Sequence, residues 1–124
     1  MAVEETAQWW IRTDGNDLNG AGFDSGISGA GTNYCDQASP QLALTDCATS
    51  SSGDTQLTSV SGGFTSAMIG NSIRLSSGSG LTLGDYFITA YSSTNSVTLD
   101  RAPDSGFSGI SGCTGRVGGA WASI

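Results

Sequence analysis

Along this chain apolar residues do not keep an i, i+3, i+4 spacing for more than about two turns, whereas short alternating runs recur throughout. The segments 8–13 (QWWIRT), 41–45, 55–60, 71–76, 85–91, 96–101 and 115–122 each carry branched or aromatic residues and are bounded by Gly, Ser, Asn or Asp. Such bounded runs read as short strands, and this many of them predicts an all-β fold, a small antiparallel sandwich or barrel-like domain with Gly/Ser-rich loops.

The stretch 62–101 is the most explicit. Residues 64–70 predict a single turn of helix closed by Gly70, followed by a strand with Ile73 and Leu75 on one face and Arg74 on the other. A flexible 77–80 connection then leads to a strand carrying Tyr86, Ile88 and Ala90, and residues 92–95 turn the chain into the Val97 and Leu99 strand. This is an antiparallel meander whose expected core is Ile73, Leu75, Ile88, Val97 and Leu99. Residues 1–124 are expected to form one domain, with 1–7 as an N-terminal arm and the Gly-rich 105–119 as a second extended arm. No internal repeat and no true linker interrupt it.

Two dipeptides add a constraint. Successive strand positions face opposite sides of a sheet, so Trp9-Trp10 and Tyr86-Phe87 each direct one large aromatic to either face. A chain of this length has little material for a third layer. Trp9, Trp10, Tyr86, Phe87 and, near the end, Trp121 are therefore the interface candidates, with another protein chain as the expected cover.

Composition removes most catalytic chemistry. The chain has no His, and its four basic residues are Arg12, Arg74, Arg101 and Arg116, so it has no Lys. Ser-His-Asp and Cys-His constellations, His-ligated zinc, lysine Schiff bases and the P-loop lysine all fall away, and no enzyme is expected. A net charge of −7 with scattered arginines argues against nucleic acid. No apolar run is long enough to span a bilayer, and the first residues lack the basic start and apolar run of a secretory signal, so neither membrane insertion nor general secretion is expected.

The remaining candidates each have a plainer reading. Asp14, Asn16, Asp17 and Asn19 present oxygens in the 14–20 loop, with Asp24 beyond, which is the ligand type calcium takes; the same residues build Asx-turns, and Leu18 and the lack of a closing Glu depart from the twelve-residue calcium loop. No cofactor is expected beyond that calcium alternative. Asp14, Asp17 and Asp24, or Asp100 and Asp104, are carboxylate pairs of the kind glycosidases use, but read more simply as loop acids. Ser25 and Ser28 have no base to activate them, and the 29–31 and 62–63 glycines do not stand between a strand and a long helix. Cys35, Cys47 and Cys113 are an odd number without C-x-x-C spacing. They read as free interior thiols, or as a Cys35–Cys47 bridge in an oxidising environment.

Residues 9–20, Trp-Trp-Ile-Arg-Thr-Asp-Gly-Asn-Asp-Leu-Asn-Gly, resemble the opening motif of many right-handed parallel β-helix proteins. The 63–75 stretch, with Tyr86-Phe-Ile-Thr and the 96–103 segment, is similar to a module of structural proteins from tailed bacteriophages. In longer relatives further β-helix coils follow a stretch like 115–124, so no catalytic residue carries over. The resemblance implies a virion structural protein; the absence of catalytic chemistry, the doubled aromatics and the acidity fit a capsid cement or decoration protein, a homo-oligomer such as a trimer, and the absence of lysine predicts non-covalent attachment to the major capsid protein or another virion protein. Its expected location is the virion, assembled in the host cytoplasm. The alternatives are a tail, fibre or baseplate component, or a carbohydrate- or surface-binding module using Trp9, Trp10, Tyr86, Tyr91 and Trp121 as stacking faces.

Overall fold

The structure is a computed structural model that describes residues 11–20, 37–106 and 108–123. Six strands, β1 (Leu42–Cys47), β2 (Gln56–Thr58), β3 (Ser72–Ser79), β4 (Gly84–Ser93), β5 (Ser96–Leu99) and β6 (Ser111–Val117), pair antiparallel in the spatial order β1-β6-β3-β4-β5-β2. Beyond the end of β1, Ala48 pairs with Thr58 of β2, so the two outer strands meet and the sheet is a nearly closed barrel. Closure removes most of the unpaired edge that an open sheet presents to other chains.

The predicted meander is present as β3-β4-β5. Ile73, Leu75, Ile88, Val97 and Leu99 are all buried in one core with Leu44, Leu57, Phe64, Met68, Tyr86, Ile110 and Val117. The single helical turn is a 3-10 turn at Ser66–Met68, and Gly70 follows it at φ 90°. Strand β4 serves two neighbours: Gly84 to Phe87 pair with β3, whereas Ile88 to Ser93 pair with β5. Register shifts within the β4–β5 pairing bend the strand around the barrel, as bulges do.

Three expectations change. Residues 77–80 are not simply a flexible connection, because Ser77 and Ser79 lie in β3 and pair with Thr114 and Ser111. The 105–119 stretch is not an extended arm throughout: Ser111–Val117 form a central strand between β1 and β3, and this strand, not 115–122, ends the sheet in chain order. Glycine there answers to packing. A Cβ on Gly115 would lie 3.0–3.2 Å from Ile73, Cys47 and Leu75, so the missing side chain is what lets large neighbours close over the strand. Of the 8–13 strand, the described part contributes an isolated parallel bridge from Ile11 to Trp121. Residues 1–7, Trp9, Trp10, Asp24, Ser25, Ser28, 29–31 and Cys35 lie outside the described residues.

Candidate functional site

The Asp/Asn loop is built into the fold by its own side chains. Asn16 Oδ1 accepts the Leu18 N–H at 2.9 Å, an Asx-turn. Asp14 pairs with Arg12 at 2.9 Å, and that hydrogen bond lowers the Asp14 pKa. Asp17 accepts from the Ser123 hydroxyl and N–H, each at 2.8 Å, and from the Ala122 N–H at 2.9 Å, which holds its carboxyl below the ordinary value. Asn19 is fully buried: its amide donates to Ala38 O and Ala120 O, and its Oδ1 accepts from Arg116.

Instead of converging on one point, these oxygens diverge onto separate protein donors. Among the described residues no three His, Cys, Asp or Glu side chains are grouped to hold a metal ion. The loop clamps residues 118–123, with Asn16 N–H on Ala120 O and Gly20 N–H on Gly118 O, and the Trp121 indole donates to Asn19 O at 2.8 Å. Trp121 is thereby fixed, half-buried, at the rim of a shallow hollow of about 250 Å³ that it lines with Asp17, Arg74 and Ser123.

Next to that hollow the outer barrel wall carries a charged row. Register places Arg116 of β6, Arg74 of β3 and Asp85 of β4 side by side. Arg74 bonds Asp85 at 3.0 Å through a single contact, leaving Arg74 Nε and Asp85 Oδ1 without hydrogen-bond partners. Burial raises the Asp85 pKa, with Arg74 and Arg101 pulling the other way. Arg101 donates to Asp85 O at 2.8 Å, pairs with Asp100, and stacks 4.1 Å over the Tyr86 ring.

The aromatic dipeptide divides as strand geometry requires. Tyr86 points into the core, 1% exposed, with its hydroxyl donating to Thr82 O at 2.5 Å, so as an interface candidate it is enclosed within the barrel. Phe87 faces outward and is held by Asp100, whose Oδ1 accepts the Phe87 N–H at 2.8 Å and whose N–H donates to Phe87 O. There it lines an open groove of about 430 Å³ with Ile69, Gly70, Ile88, Thr89 and Asp100, almost wholly apolar apart from that carboxylate. Ile69, 39% exposed, was not an interface candidate by sequence. It follows a 3-10 turn whose docking beside β4 could not be read from periodicity.

The remaining acids organise loops. Asp104 accepts the Gly53 N–H at 2.7 Å, and Asp46 collects Ser59 and Ser61. Asp100 and Asp104 thus hold separate backbone segments instead of facing a shared cleft. Comparison of the chain with protein-family models, with curated protein sequences and with solved structures gave no match.

Proposed function

We propose that this chain is a non-enzymatic virion structural protein, a cement or decoration barrel that docks on a shell protein through the groove at Phe87. The observation that carries the reading is that groove: an outward aromatic beside an exposed Ile69, on the outer wall of a barrel whose core is already complete without them. Aromatics at the centre of a desolvated patch supply most of the energy of an interface, and polar residues form its rim. The net charge of −7 and Asp100 at the rim suit a less acidic shell surface, with electrostatics aiding encounter more than final affinity. The resemblance of 63–75, 86–89 and 96–103 to a tailed-phage module supports the setting, and a homo-oligomer such as a trimer is the proposed docking unit.

The test is incorporation. Phe87→Glu should give a folded barrel by circular dichroism that no longer co-sediments with the particle, while the unaltered chain does, and electron cryo-microscopy should place β4 against the shell. Undiminished incorporation of a folded Phe87→Glu variant would overturn the docking surface, and absence of the chain from purified particles would overturn the setting.

The hollow at Trp121 favours a second reading, a saccharide-binding module. An indole bordered by Arg74, Asp17 and Ser123 combines a stacking face with hydrogen-bonding groups, the mixture that small polar ligands require. Titration with a saccharide panel, followed at the Trp121 indole N–H by NMR, separates the two readings, since only the second moves that signal.

A further inference from the structure

Cys47 closes β1 and Cys113 lies within β6, and in the antiparallel pairing of those strands they are register partners. A bulge makes this so. Leu44 opposes Gly115 and Cys47 opposes Cys113, three residues on one strand against two on the other, so Leu44 and Cys47 both face the core despite their odd separation. Both thiols are free and have no exposure. Opposed residues of an antiparallel pair have Cα atoms about 4.5 or 5.5 Å apart, inside the span of about 4.4–6.8 Å that a disulfide bridges.

The two reduced side chains have different neighbours. Cys113 Sγ donates to Ser111 O at 3.5 Å and lies against Gly78 of β3, whereas Cys47 Sγ lies against Gly115. Burial, reinforced by the charge of Asp46 and by Cys113 itself, pushes the Cys47 thiol up to about 12, and burial raises Cys113 as well. In the closed barrel both are therefore protonated and poorly nucleophilic. Cys47 immediately precedes Ala48, whose bridge to Thr58 joins the outer strands, so it lies next to the barrel's shortest seam.

We propose that Cys47 and Cys113 form a cross-strand disulfide that staples β1 to β6 when the chain meets a low-molecular-weight disulfide. One thiol loses its proton and attacks the small disulfide, giving a protein mixed disulfide and one small thiolate. The other thiol, deprotonated in turn, attacks the protein-side sulfur and expels the second thiolate. Two protein thiols thus give up two electrons and two protons, and the small disulfide is reduced to two thiols. The bridge needs no change of strand register. It excludes a Cys35–Cys47 bridge, which requires the same sulfur.

The full-length reduced protein and its Cys35→Ser variant are incubated with oxidised glutathione, with and without mild urea to open the barrel, then alkylated and cleaved after arginine. The expected product in both proteins is a disulfide joining the 13–74 peptide to the 102–116 peptide. It should be accompanied by loss of two hydrogens in intact mass, a raised Tm, and faster formation in urea. Sequencing of that product should place the bond at Cys47. A bridge internal to 13–74, persistent glutathione adducts, or three alkylatable cysteines after oxidation in urea would each overturn the proposal. Because Cys47 and Cys113 are both intact in the two proteins mapped, the outcome does not depend on whether a Cys113→Ser variant folds.

Discussion

Ala48 and Thr58 exchange both backbone hydrogen bonds, at 2.9 and 2.8 Å, and among the described residues this is the one backbone pair that joins the two outer strands, with Asp46 bonding Ser59 and Ser61 beside it. Everything else in the barrel is held by longer ladders, so the seam is the place where local opening costs least.

Thr58→Pro removes the amide that Ala48 O accepts. The variant is expected to lose about 1–3 kcal/mol of stability, because the half-buried Ala48 carbonyl loses two donors, the Thr58 amide and the Thr58 hydroxyl. Amide exchange should accelerate at Ala48 and along β1 more than in β3 and β4, which hydrogen-exchange mass spectrometry resolves.

Leu99 is 2% exposed at the end of the β3-β4-β5 meander and belongs to the one core cluster. Leu99→Ala should cost about 2–5 kcal/mol in urea unfolding, the lost transfer energy plus the cavity. A change below about 0.5 kcal/mol, as at an ordinary surface position, would contradict the packing described for β5.

Asn19 connects three segments, since its amide reaches Ala38 and Ala120 and its oxygen reaches Arg116. Asn19→Ala leaves two carbonyls without this donor and should destabilise by about 1–3 kcal/mol. The Trp121 indole N–H should lose exchange protection in the same variant, because the backbone carbonyl it uses belongs to the residue whose anchor is gone.

Asp17 supplies a pH dependence. Its folded pKa lies below the ordinary 3.8, chiefly through the Ser123 hydroxyl and N–H. The ionised form is thus favoured by folding, so its contribution is fully present above the unfolded value and is lost as pH falls through the lower folded one. The Tm difference between the unaltered chain and Asp17→Asn should therefore be largest near neutrality and shrink below pH 3.8. Asp85 runs the other way: with a raised folded pKa it costs stability when ionised, and Asp85→Asn should not reproduce the shrinkage.

Local pattern alone determined the β class and the meander, because alternation with bounding turn residues reports which side of a strand is buried before any partner is known. It placed Ile73, Leu75, Ile88, Val97 and Leu99 in the core, and it required that Tyr86 and Phe87 part to opposite faces. With Ile88 in the core, the same alternation turns Tyr86 inward and Phe87 outward; what lies beside Phe87 on the outer face, Ile69 and Asp100, came only from the tertiary structure. The same holds for β6. Its glycines read as an arm because composition reports what a segment could tolerate, and only the large residues of β1 and β3 closing over Gly115 make it a central strand. The Asp/Asn loop was legible as a turn or an ion site, and only the tertiary structure shows which donors its oxygens meet: Arg12 for Asp14, the Leu18 N–H for Asn16, Ala122 and Ser123 for Asp17, and Arg116 for Asn19. The meeting of Cys47 with Cys113 depended on a single bulge, which inverts the facing of every residue beyond it and leaves no mark in the sequence.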